Sequence, residues 1–206
     1  MSQSMFYNER GIEEGLAIFS KFEINSISAY PLAPEFPSSD INKRWAFHAR
    51  IDISERNCSF SSFHFLVTHF TFDSQAQQVE AQAVWNYSES LSLPQVLVGD
   101  FNIRPQDESN LFPLESEPKN EFEDAWIEKY PSLPGFTWCN LQLSTRDKGK
   151  ACEGPASERI DRILIKGEHK ILETSVFGQQ PVQGVFGSDH RAIAADILFL
   201  KPKDSI

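Results

Sequence analysis

Four short segments place groups able to do chemistry directly beside apolar residues: Val67-Thr68-His69, Val98-Gly99-Asp100-Phe101-Asn102, Arg159-Ile160-Asp161 and Gly187-Ser188-Asp189-His190. Strand ends in a rigid sheet hold functional side chains accurately. Singly, each signal is weak, because an Asp at a strand end is more often a turn former or a helix cap. Together the segments supply the carboxylates of Asp100, Asp161 and Asp189, the amide of Asn102 and the imidazoles of His69 and His190. Such a set suits the binding of a hard cation and acid–base work on a phosphate. Asp100 and Asn102 are two apart and can share one side of an extended segment. Asp189 and His190 are adjacent and aim in different directions, so one can face a metal and the other a substrate. His48 and His64 read as satisfied core or surface groups, and His169 as a turn residue.

The elements that would position these groups are legible as periodicities. Residues 44–54 alternate, with Trp45, Phe47, Ala49, Ile51 and Ile53 on one face and Ala46, His48, Arg50 and Asp52 on the other, which predicts a strand with one face on a core. Glu55-Arg56-Asn57 reads as a turn, and Phe63 to His69 as the second strand of a hairpin. Asp73-Ser74 opens a helix whose Ala76, Val79, Ala83, Tyr87 and Leu91 recur at spacings of three and four, and Pro94 closes it. Leu16 to Phe19 and Gln95 to Val98 read as buried strands. Three further strands are expected over 160–166, 170–177 and 192–200, with a short helix over 122–130. Residues 105–120 and 144–158 are polar and read as loops, the first with a weak helix as the alternative, and the polar tail 201–206 as a frayed end. Mainly strands, with one long helix between two of them, predict a layered α/β domain with mixed or antiparallel sheets.

The length of 206 residues fits one domain spanning the whole chain. Seventeen Phe residues predict a ring-rich core. Against 29 acidic residues stand 19 Lys and Arg, a net charge of −10, which opposes sequence-independent binding to nucleic acid. A local basic pocket, or a metal that reverses the field inside a cleft, remains compatible with that balance. Cys58, Cys139 and Cys152 are odd in number and match no zinc spacing, so free thiols are expected. No long apolar run occurs in the first thirty residues, which gives neither a signal peptide nor a membrane span and makes a cytoplasmic location the default.

The run Gly99-Asp100-Phe101-Asn102 resembles the GDFN motif of the endonuclease/exonuclease/phosphatase (DNase I-like) superfamily. Thr68-His69, Arg159-Ile160-Asp161 and Ser188-Asp189-His190 resemble that family's T-H, R-I-D and S-D-H segments, in the family's order. Residues 14–21, Glu-Gly-Leu-Ala-Ile-Phe-Ser-Lys, are similar to an earlier strand of several branches. The resemblance implies a four-layer α/β sandwich, two packed sheets with helices outside, and a metal-dependent phosphodiesterase or phosphatase. By that resemblance His190 is the general base, Asp161 holds its tautomer, and Asp100 orients the nucleophile. Asn102 donates to the phosphate, His69 binds or stabilises a phosphate oxygen, and Asp189 contributes to binding Mg²⁺, with Mn²⁺ as a substitute.

The sequence departs from the family at its beginning. No strand ending in a metal-binding Asn, and no Gln-Glu dipeptide, stands ahead of Glu14; Asn8 and Glu9 do not follow a buried strand. The domain therefore reads as N-terminally truncated. Glu14 is a candidate stand-in ligand, against a plainer reading as a loop carboxylate before a strand. The expected substrate is a small phosphoester or a phospholipid head group, with nucleic acid disfavoured by the net charge. Two alternatives are a binding or regulatory module impaired in catalysis and a nuclease of the same fold. Trp126, Phe136 and Trp138 read as core rings before they read as a substrate wall.

Overall fold

The alternation over 44–54 becomes a strand because β-branched and aromatic side chains at every second position can cover one face of a sheet. In the computed structural model, which describes residues 2–7, 13–32, 44–53, 61–110, 121–138, 158–180, 182–183 and 187–200, that strand runs antiparallel to two neighbours. Strands β1 (Ser2–Tyr7) and β2 (Glu13–Ala17) form one antiparallel ribbon. Next come β3 (Glu23–Leu32), β4 (Arg44–Asp52) and β5 (Ser62–His69). Helix α1 (Ser74–Glu89) crosses over to β6 (Gln95–Asp100), which lies parallel to β5. A 3-10 segment (Pro105–Asn110), the short β7 (Glu123–Asp124) and α2 (Ala125–Lys129) precede β8 (Asp161–Lys166). Finally β9 (His169–Phe177) and β10 (Ala192–Phe199) make a second antiparallel ribbon.

The main sheet has six strands in the order β3-β4-β5-β6-β8-β7. One face packs on α1 through Leu66, Leu97, Leu164, Ala81, Val84 and Trp85, joined by the edge-to-face rings of Phe70 and Phe101. The other face carries both ribbons. Ile163, Ile165 and Val96 meet Ile193, Ile197 and Phe199 on one side, and Phe47, Ala49 and Ile51 meet Leu16 and Ile18 on the other. Helix, six-stranded sheet and ribbon layer thus stack as expected of an α/β sandwich.

Several expectations are corrected by packing. A strand, β1, does lie ahead of residue 8, and the burial of its side chains lies outside the described set. The apolar run 16–19 is not buried throughout: β2 stops at Ala17, and Phe19 is 88% exposed because the ribbon has one covered face only. Strand β4 buries both faces, with Ala46 and His48 against α1 and β3. The buried stripe of α1 runs through Ala81, Val84 and Trp85 rather than Val79, which is 38% exposed. It includes the polar Gln77 and Glu80, which face inward because they cap loop backbone: Gln77 Nε2 donates to Thr71 O and Asn102 O, and Glu80 Oε2 accepts from Thr71 N. Asp73 caps the helix start as anticipated, accepting from Gln75 N and Ala76 N. His169 opens β9 and is part of a strand, although it does follow the turn at Gly167. The turn 55–57, most of the two loops, the three cysteines, Asn8, Glu9 and the tail 201–206 lie outside the described residues.

Two substitutions of one chemistry separate the faces of α1. Val84→Ala should lower the unfolding free energy by about 1–3 kcal/mol, through lost burial and a residual cavity. Val79→Ala should change it by about 0.5 kcal/mol or less. Urea denaturation of both variants checks the assignment, and equal costs would contradict it.

Candidate active site

Strands β5, β6 and β8 end side by side, and their last side chains converge. Register pairs His69 with Asp100 across β5–β6 and Asp100 with Asp161 across β6–β8. The ladder continues one step past the strands, Phe70 N donating to Asp100 O and Phe101 N to Ile160 O, both at 2.9 Å. Gly99 permits this closeness. Its φ is +156°, and a Cβ there would sit 2.0 Å from Thr68 O, so any other residue would push β6 off β5.

The C-terminal signature arrives from across the site. His190 bridges to Trp138, which also bridges to Glu158. Thr137 fastens this crossing: its Oγ1 accepts from Ile160 N and Asp161 N, and its carbonyl accepts from Arg191 N. His190 Nδ1 then stands 2.9 Å from Asp161 Oδ2, and Nε2 stands 3.8 Å from Asp100 Oδ2. His69 Nε2 lies 3.4 Å from the same Asp100 oxygen. Asn102, at φ +52°, donates its backbone N–H to Asp100 Oδ1, and its Nδ2 donates to Phe70 O. An amide nitrogen carries two protons, so one is left for a ligand.

Electrostatics at this point are those of a crowded anion. Burial first, and then the Asp161 charge, push the Asp100 carboxyl up to about 6 against the bond from the Asn102 N–H. Burial alone would favour neutral His190, but the bond and charge of Asp161, with Asp100 and Asp189, outweigh it and raise the imidazole to about 9. Ligand atoms of Asp100, Asp161 and His190 all lie within 4.8 Å of one another. Paired carboxylates this close, with an imidazole beside them, fit a cation between them.

The structure brings together His69, Asp100, Asn102, Asp161 and His190. It leaves Asp189 outside the cluster of potential ligands: the residue is exposed, and its Oδ1 accepts from Ser188 Oγ. Glu14 lies in β2 opposite Phe6, its side chain outside the described set. Around the cluster opens a cleft of about 520 Å³, lined in part by Phe72, Asn102, Arg104, Trp138, Glu158 and His190. Trp138 therefore belongs to the wall of the site, whereas Trp126 is buried, with its Nε1 donating to Leu133 O.

Sequence reasoning missed the support beneath Asp161. The buried Asp124 accepts from Trp126 N and Ile127 N at the start of α2, and its other oxygen takes the guanidinium groups of Arg159 and Arg162. Arg162 also bonds Glu108, which ties the 3-10 segment after β6 to β8. No periodicity marks Thr137 or Asp124. The Arg159 and Arg162 pair flanking Ile160-Asp161 was the available signal, since buried arginines require acid partners.

The profile of the "Endonuclease/Exonuclease/phosphatase family" matches residues 3–190. An endonuclease/exonuclease/phosphatase family protein of Bacteroides thetaiotaomicron shares the fold at TM-score 0.66 and 17% identity, over 87% of this chain and 66% of that one. A mannosyl-6-phosphatase of the same organism gives TM-score 0.61 and 17% identity, over 87% and 68%. The human Nocturnin catalytic domain, with bound sulfate anion, gives 0.67 and 14%, over 97% and 72%. The chain thus spans about two thirds of the length of the first of these structures. No curated protein matches it. Among the described residues no helix is long and apolar enough to cross a membrane.

The raised His190 value makes a prediction for the protein with divalent cations chelated. A group that holds its proton more tightly when folded stabilises the fold below its unfolded value of 6.5 and loses that contribution as pH climbs towards 9. Solvent screening at this partly exposed ring reduces the loss to on the order of 1–2 kcal/mol. Asp100 acts in the same direction at lower pH, between 3.8 and about 6. Denaturation in EDTA at pH 6.5 and 9.5 should show this fall, and His190→Gln should flatten it; an unchanged slope in the variant would contradict the assignment.

Proposed function

Because the chain belongs to the endonuclease/exonuclease/phosphatase family, we propose that it hydrolyses a phosphoester by direct attack of water activated at the His190–Asp161 pair. The observation that carries this is the His190 Nδ1–Asp161 Oδ2 contact of 2.9 Å, with Nε2 turned to Asp100 in an open cleft. With Nδ1–H donated to Asp161, the neutral ring presents a lone pair at Nε2, the arrangement a general base requires.

Asp100 and Asp161 would hold the cation, with Mg²⁺ favoured for oxygen ligands beside phosphate and Mn²⁺ able to replace it. Held there, it would supply positive charge to polarise the phosphoryl oxygen, to stabilise the leaving group and to offset the carboxylate charge that favours protonated His190. His190 Nε2 takes a proton from water as the water oxygen bonds to phosphorus. The ester P–O bond breaks, and the departing oxygen recovers the proton from His190, so no covalent enzyme intermediate is needed. Asp100 orients the nucleophile, Asn102 donates its second amide proton to a phosphate oxygen, and His69 stabilises the developing charge. Asp189, exposed beside His190, adds negative charge at the rim rather than a principal ligand.

The cleft favours a small organic phosphoester or phospholipid head group. Trp138 and the exposed Phe72 offer flat apolar walls, and Arg104, 3.1 Å from Glu158, offers a cation for a second anionic oxygen. The net charge of −10 disfavours long nucleic acid. Turnover of a chromogenic phosphodiester and of a panel of sugar phosphates, phosphocholine esters and oligonucleotides tests the reading. Mg²⁺-dependent release should appear and should fall about 10²-fold or more in His190→Ala. Cation binding without turnover of any panel member would instead indicate a binding module.

A further inference from the structure

We propose that His169, Glu128 and Glu123 form a second cation site, one for a borderline divalent metal such as zinc, at the seam between α2 and the β9–β10 ribbon. It is remote from the phosphoester cleft: Glu123 pairs with Ile165, four residues along β8 from Asp161, about 13 Å at the rise of a strand.

The hydrogen bonds of the His169 ring set the requirement. The His169 side chain is 4% exposed. Its Nδ1 lies 2.7 Å from Gly167 O, and its Nε2 lies 2.9 Å from Glu128 Oε2 and 3.6 Å from Glu123 Oε2. All three neighbours are acceptors. A neutral imidazole has one N–H, so in either tautomer one ring nitrogen points a lone pair at an acceptor. If Nδ1–H donates to Gly167 O, Nε2 is a buried lone pair facing two carboxylates. The site therefore calls for a positive charge at Nε2, which either a second proton or a metal ion supplies.

Geometry and charge favour the metal. A carbonyl acceptor on the far nitrogen is the usual way a ligating histidine is oriented. Ligands at about 2.0–2.1 Å around a tetrahedral zinc stand about 3.3 Å apart, and the observed 2.9 and 3.6 Å bracket that spacing. Two carboxylates and one imidazole neutralise a divalent ion, whereas a single proton leaves a net negative charge. Glu128 is held in place at its other oxygen by Ile171 N. Glu123 is 68% exposed, which leaves the fourth position open to water or another ligand. Imidazole selects zinc, nickel or cobalt over magnesium. The three ligands come from β7, α2 and β9, so a bound ion would clip the sheet edge and α2 to the ribbon.

Zinc titration of the full chain against a chromogenic chelator tests this, with cobalt(II) as a spectroscopic substitute. Glu123→Gln and Glu128→Gln should each weaken one equivalent of zinc by about tenfold or more, and His169→Gln should remove it. Cobalt should give the visible bands of a tetrahedral ion, absent in His169→Gln. Because Glu123 is exposed, Glu123→Gln should melt like the parent without zinc, yet lose the zinc-induced rise in melting temperature. Equal zinc affinity across the parent and both glutamate variants would overturn the proposal.

Discussion

Two carboxylates of like charge stand on the same rung of an antiparallel strand pair, and the architecture of the site follows from that placement. Asp100 and Asp161 terminate β6 and β8 in direct register. Like charges directly opposite each other weaken a sheet, and burial of Asp100 adds to the cost. The surrounding structure is what makes the rung persist. Gly99 lets β5 and β6 close up, Thr137 accepts two backbone donors at the start of β8, and the Asp124–Arg159–Arg162 network fixes the chain beneath it. A site that concentrates negative charge on rigid strand ends is suited to a cation and to a protonated or proton-accepting imidazole.

His190 is the second half of this arrangement. Its ring is fastened to Asp161 on one side and turned to Asp100 on the other, so its proton affinity reports the charge of both. A cation held between the carboxylates would therefore act on more than the substrate. It would lower the affinity of the imidazole for its proton, coupling cation binding to the protonation state of the base proposed for His190.

Much of this was legible in the sequence because it obeys simple periods. The alternation of β4, the Asp73 cap of α1 and the apolar runs into Asp100 and His69 each express a local rule that tertiary packing then respects. What was not legible depends on partners far along the chain. The inward face of α1 includes Gln77 and Glu80 because distant loop carbonyls and amides need them, so an apolar stripe read without those partners drifts towards Val79. Trp138 joins the cleft only because it bridges both Glu158 and His190. His169, at a turn exit, gives no sign in sequence of the carboxylates that α2 and β7 bring to it. Strand β1 was missed because a six-residue segment with polar residues at alternate and adjacent positions lacks a clear period of two.

The fold is shared with phosphoester hydrolases at identities where only architecture is comparable, so the chemistry rests on the rung itself. The most direct measurement is a calorimetric titration of the folded chain with Mg²⁺, whose preference for oxygen ligands targets the two carboxylates. One ion should bind per chain at these carboxylates, with at least about a tenfold loss of affinity in Asp100→Asn and in Asp161→Asn, by analogy with the cost of disturbing a metal site's supporting groups. Binding of Mg²⁺ that neither substitution weakens, with both variants folded by circular dichroism, would contradict this expectation.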